Sequence, residues 1–149
     1  YSPRMRLDIS VNALTMSALQ EGRIYVHGGS QVRPNIHIDD ITDLYLFLIE
    51  KGSDIEGVFN AGFENLSILE MAEKISASIE SHIEVQDSID PRSYRINSDK
   101  LLNTGFVPKK TVSDAISEMN KKFNDGKIRN DAQFHNLKWM QKNPNIISD

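Results

Sequence analysis

The sequence contains no cysteine. That removes disulfides, thiolate nucleophiles and cysteine-ligated metals together, and it fits a cytoplasmic protein. No apolar run approaches the roughly 20 residues that span a bilayer, and no charged-then-apolar opening segment of the kind that directs secretion is present, so no membrane partner is expected. The formal charge of −4 is spread along the chain without a long basic run, which argues against nucleic acid as a partner. The four histidines, His27, His37, His82 and His135, are too scattered for a metal site. Also missing are a G-x-G-x-x-G loop, a G-K-[ST] loop and a G-x-S-x-G elbow. Nothing in these residues assembles a nucleophile, a base and an oxyanion donor. The chain opens on Tyr1-Ser2-Pro3-Arg4 without a methionine, and the expectation is that it begins in the middle of something larger.

What is present is enough for one soluble domain with a core: 149 residues, 39% hydrophobic and 26% charged. Leu7, Val11, Leu14 and Ala18 fall at helical spacing, which predicts a helix to about Gln20 that stops at Gly22. Arg23 to His27 is short, β-branched and aromatic, and reads as a strand; Gly28-Gly29-Ser30 turns the chain, and Val32 to Ile38 is a second extended piece with Pro34 in it. Asp40 can cap a helix that carries Ile41, Leu44, Tyr45 and Leu48 and ends near Gly52. Val58 to Gly62 reads as a brief apolar strand. Ser67 with Glu70 forms a capping box for a helix whose inner face holds Met71, Ala72 and Ile75. His82 to Gln86 is a strand, Ser98 opens a short helix cut off at Gly105, and Thr111 with Asp114 caps a helix carrying Val112, Ile116 and Met119. A last amphipathic segment starts near Asp131, and the tail from Asn143 has no periodicity. Strands alternating with helices argue for an α/β arrangement, although strands this few and short make a poor sheet alone.

Two runs carry candidate chemistry. Arg33-Pro34-Asn35-Ile36-His37-Ile38-Asp39-Asp40 and Asp90-Pro91-Arg92-Ser93-Tyr94-Arg95 each place an arginine at an element boundary. A guanidinium is planar, always charged and forked to match phosphate oxygens, so two brought together would clamp a diphosphate. The plainer readings are a surface arginine for Arg33 and a turn for Asp90-Pro91, and Arg95 could equally be the functional residue of the second run. Asp39 and Asp40 are a weak acid–base pair, since neighbours on an extended chain point apart.

At these arginines the chain resembles the C-terminal part of the NAD-dependent epimerase/dehydratase family, the extended short-chain dehydrogenase/reductases (SDRs) acting on nucleotide sugars. Tyr1-Ser2-Pro3-Arg4 is similar to the family's Tyr-Gly-Pro-Arg, and residues 30–40 to its Gln-x-Arg-x-x-x-His-Val-x-Asp. Val58-Phe59-Asn60-Ala61-Gly62 is similar to its Asn-x-Gly strand end, and Lys100 with Gly105-Phe106-Val107-Pro108 to its Ser-Lys…Leu-Gly-Phe-x-Pro ending. The ordered match covers roughly residues 1–124. It implies a small, mainly helical substrate-binding lobe with a few short strands, the C-terminal part of a Rossmann-type extended SDR. Residues 1–142 would form that lobe, 58–62 would be a strand of a Rossmann sheet lying elsewhere, and 143–149 a loose tail. Arg33 and Arg92 would hold the substrate diphosphate, Tyr25 and Val26 would lie along the nucleobase, Asn12 would face the diphosphate or sugar, and Pro3 would lie near the nicotinamide. NAD or NADP would be bound mainly by a segment upstream, which would also supply a Tyr-x-x-x-Lys pair. No tyrosine of this chain has lysine at the fourth place after it, so no catalytic residue is expected here. The resemblance further implies a nucleotide-diphosphate sugar as ligand and a homodimer in the intact protein. The alternative is a non-catalytic nucleotide-sugar-binding or regulatory module.

Overall fold

The computed structural model of the chain describes residues 1–87 and 90–143. Helix α1, Ser10–Glu21, ends on Gly22 in the left-handed conformation at φ 62°, the backbone that glycine adopts without steric cost. Strand β1, Arg23–His27, follows at once, and Gly28 and Gly29 (φ 81° and 107°) turn the chain toward β2, Val32–Asn35. Helix α2 spans Ile38–Lys51, strand β3 Glu64–Ser67 and helix α3 Ile68–Ser78. Strand β4, His82–Gln86, precedes the one-turn α4, Asp99–Leu102, then α5, Val112–Asn124, and α6, Asn136–Lys142.

The strands form two separate pairs. β1 lies parallel to β4, with Ile24 opposite Ile83 and Val26 opposite Val85. β2 lies antiparallel to β3, with Arg33 opposite Leu66 and Pro34 opposite Asn65. Alternation along β1 sends Ile24 and Val26 into a core completed by Val11 and Ala18 of α1, Met71, Ala72 and Ile75 of α3, and Val112 and Ile116 of α5. A second cluster joins Leu7, Met16, Met119 and Ile128, and a third joins Leu44 of α2 to Leu101 and Phe106. The architecture is the expected one: a mainly helical α/β lobe with a few short strands.

Several expectations hold in detail. β1 and β4 occupy the predicted residues. Both capping boxes are made, Ser67 with Glu70 at α3 and Thr111 with Asp114 at α5. Others are corrected. Residues 7–9 precede α1 instead of opening it, because the Leu7 amide donates to the Phe134 carbonyl at 2.8 Å. His37, not Asp40, caps α2: its ring nitrogen accepts the Asp39 amide at 3.1 Å. Asp40 sits inside the helix with its carboxylate on the Lys109 and Lys110 amides, at 2.9 and 3.1 Å. Residues 58–62 form no strand in this chain, since nothing among the described residues pairs with them. The strand formed within this stretch is β3, which begins two residues further on, where β2 supplies the ladder. Residues 144–149, most of the expected loose tail, lie outside the described residues. No helix of the described residues is long and apolar enough to cross a membrane.

Candidate functional site

A cleft of about 800 Å³ opens between the start of α1, the outward side of β1, the length of β2 and the N-terminus of α5. Four of the six residues expected to serve a site line it: Asn12, Tyr25, Arg33 and Arg92. Two do not. Val26 is 0% exposed and belongs to the core. The period of two along a strand explains this, since Tyr25 facing the cleft forces the next side chain to the opposite side. Pro3 sits in an exposed turn away from the cleft lining. Arg95 is likewise absent from the lining.

The second arginine run is held beside β2 as an extended strap. The Tyr94 amide donates to the Val32 carbonyl at 3.2 Å, and the Val32 amide donates to Ser93 Oγ at 3.0 Å. The Asn65 side chain bonds both the amide and the carbonyl of Ile96 at 3.0 Å. Ser98 Oγ does the same to Gly62 at 3.1 and 3.0 Å. Side chains thus stand in for the ladder that irregular backbone cannot make, satisfying groups that would otherwise be left buried and unpaired.

That strap brings the two arginines together. Arg33 Nη1 donates to the Val32 carbonyl at 2.9 Å and to the Arg92 carbonyl, and Arg33 Nη2 reaches Asp90 Oδ2 at 3.1 Å. Its guanidinium carbon stands 5.5 Å from the centre of the Tyr94 ring. Arg92 meets the same carboxylate through two parallel bonds, Nε to Oδ1 at 2.8 Å and Nη2 to Oδ2 at 2.9 Å. The Arg33 side chain is 17% exposed and that of Arg92 77%. One arginine is fixed by carbonyls and stacking, and the other is held out in solvent by an ion pair. Hydrogen bonds from Arg92, with the charges of both arginines, lower the Asp90 carboxyl to about 2.

A second pair stands at another wall of the cleft. Arg6 Nε donates to Asp8 Oδ1 at 2.8 Å, and that bond lowers the Asp8 carboxyl below the usual range. Asn12 Nδ2 donates to the Arg6 carbonyl at 2.7 Å, tying the helix to this segment. Sequence reading missed Asp90 as a site residue, along with Arg6, Asp8 and Tyr94. For Asp90 a signal existed: the Asp-Pro-Arg spacing lets the carboxylate accept the Arg92 amide, at 3.1 Å, and still meet its guanidinium. Arg6 and Asp8 carry no comparable signal, because their place in the cleft depends on how residues 1–9 fold back.

The lobe is an α/β unit with a cleft in which Arg33 and Arg92 share the Asp90 carboxylate. No family model matches the chain. Solved structures place it: the chain aligns with dTDP-glucose 4,6-dehydratase from Bacillus anthracis in complex with NAD at TM-score 0.68 and 23% identity, covering 84% of this chain and 42% of that one. It aligns with UDP-glucuronic acid 4-epimerase from Bacillus cereus, in complex with UDP-glucuronic acid and NAD, at TM-score 0.65 and 25% identity, again over 84% and 42%. Among curated proteins, GDP-L-fucose synthase 1 of Arabidopsis thaliana is 27% identical over 95 residues, which is 60% of this chain and 29% of the synthase. In fold, and in part in sequence, the chain is similar to a portion of these NAD-dependent epimerases and dehydratases. It spans less than half the length of these relatives.

Proposed function

We propose that this chain is the nucleotide-sugar-binding portion of an NAD- or NADP-dependent sugar epimerase or dehydratase. The observation that carries the reading is the convergence of Arg33 and Arg92 on one carboxylate, that of Asp90, in a cleft large enough for a nucleotide sugar. Arg33 is the fixed half of the clamp, since two backbone carbonyls hold its guanidinium in place before any ligand arrives. Arg92 is the adjustable half. Tyr25 offers a ring to the nucleobase, and Asn12 stands at the helix start where the diphosphate or sugar would pass. Binding energy gathered from the diphosphate, remote from the reacting carbon, orients the sugar for chemistry performed by another segment.

The cofactor is assigned to that other segment. This chain has no glycine-rich phosphate loop; Pro3 would lie near the nicotinamide, and no reaction step is assigned to this chain's residues. With that assignment go residues 1–142 as one substrate-binding unit, residues 58–62 as a strand that pairs outside this chain, a homodimeric intact protein and a cytoplasmic location. A non-catalytic nucleotide-sugar-binding or regulatory module is the second reading, and an upstream segment without a Tyr-x-x-x-Lys pair would favour it.

The test is Arg33→Ala in the full-length protein. UDP- or GDP-sugar binding, measured by calorimetry, is expected to weaken by about 1.5–3 kcal/mol, the range for hydrogen bonds to charged groups. Unchanged affinity would sink the assignment.

A further inference from the structure

The two guanidinium groups of the clamp already hold an anion, and it belongs to the protein. Asp90 takes Nε and Nη2 of Arg92 and Nη2 of Arg33. Nε and Nη2 form the forked edge with which an arginine clasps two phosphate oxygens. A diphosphate entering the cleft therefore meets a carboxylate already seated on the same donors. A carboxylate and a diphosphate cannot share that fork, and their like charges repel at such range.

We propose that Asp90 is a positioning residue that acts as an internal placeholder for the ligand's diphosphate, so that nucleotide binding at this cleft is an exchange of one anion for another. The inference rests on the clamp reading above and deepens it. In the free state Asp90 offsets one of the two arginine charges and holds the exposed Arg92 side chain over the cleft, sparing it part of the ordering that a free, solvated arginine would need. When the diphosphate arrives, Arg92 transfers its fork to phosphate and the carboxylate turns outward. Arg33 stays where its carbonyl partners hold it. The exchange also sets selectivity. A ligand with a single negative charge gains little by displacing an equally charged carboxylate, whereas a diphosphate brings more charge and more acceptors than it removes. Asp90 thus raises the threshold for weakly charged ligands.

The test uses the full-length protein saturated with NAD, so that any dinucleotide site is filled, with UDP as the probe. Asp90→Asn removes the charge but keeps an oxygen that can accept the Arg92 amide, so the turn persists. Calorimetry is expected to show UDP bound about tenfold more tightly by Asp90→Asn than by the unsubstituted protein, equivalent to about 1.4 kcal/mol. Arg33→Ala is expected to abolish the gain. Equal or weaker binding by a folded Asp90→Asn, with Arg33→Ala still losing affinity, overturns the exchange and leaves the clamp standing. Unchanged UDP affinity in Arg33→Ala overturns the clamp and the exchange with it. A second measurement needs no variant at Asp90: carbon NMR of its carboxyl during UDP titration is expected to show a shift as the guanidinium partners leave. A carboxyl signal unmoved at saturation also overturns the proposal.

Discussion

Asp40 is 1% exposed and carries a carboxylate, a combination that survives only with full hydrogen bonding. The Lys109 and Lys110 amides supply it, so one side chain of α2 fixes the loop that leads into α5. An asparagine there keeps one accepting oxygen and turns an NH2 toward the second amide. Asp40→Asn is therefore expected to cost about 1.5–3 kcal/mol, read as a lower urea midpoint with an unchanged slope. The carboxylates also set the response to acid. Asp90 lies at about 2, while Asp114 and Glu70 are lowered by hydrogen bonds from the caps they complete, Thr111 and Ser67. Each folded value lies below its unfolded one, so the stability is present above the unfolded range and is lost as pH falls through the folded values. Thermal unfolding is expected to stay level down to about pH 4.5, the unshifted glutamate value, and then to fall steadily toward pH 2. Asp90→Asn should flatten the lowest part of that decline.

At the scale of elements, the helices with the most complete local signals are the ones the sequence made legible. Ser67 with Glu70 and Thr111 with Asp114 each satisfy free amides at a helix start, reciprocally and within four residues. Ser67→Ala and Thr111→Ala are each expected to cost about 1 kcal/mol in chemical denaturation. A change much below that at either site would mean the helix start is held by its packing and not by its cap. β3 shows the opposite situation. Glu64-Asn65-Leu66-Ser67 has neither the alternation nor the β-branched content of a strand, and becomes one because β2 runs alongside. Val58 to Gly62 has the apolar content but no strand partner among the described residues, and no ladder forms there. Strand propensity is a fit to a neighbour, and a neighbour is not a local property.

At the scale of the whole molecule, several large apolar side chains stand exposed. Tyr45, Leu46 and Ile49 project from α2 on the side away from Leu44 and its cluster, and Val58 is 87% exposed. Patches of this kind mark surfaces that are covered in the assembled protein. Replacing Leu46 and Ile49 by glutamate is expected to change the stability of this chain by less than about 0.5 kcal/mol, because neither side chain is buried within it. The same pair should reduce binding of an apolar fluorescent dye. A large loss of stability would show that α2 packs through that face inside the chain itself.

The sequence alone determined what depends on near neighbours: which segments become helices, where capping residues and glycines end them, and the ordered motifs that resemble those of the epimerases and dehydratases. It also singled out Arg33 and Arg92, since an arginine beside a strand end is visible as text. Only the tertiary structure decided that the two share one carboxylate, that Val26 turns into the core while Tyr25 faces the cleft, and that Arg6 and Asp8 form a wall of the site. Those outcomes depend on residues brought close by chain reversal, on the strict alternation of a strand once one side is buried, and on side chains such as Ser93, Asn65 and Ser98 that hold the strap in register. Chain reversal and the bonds of the strap leave no periodic trace along the chain, and the alternation of β1 carries no mark of what its outward side will face.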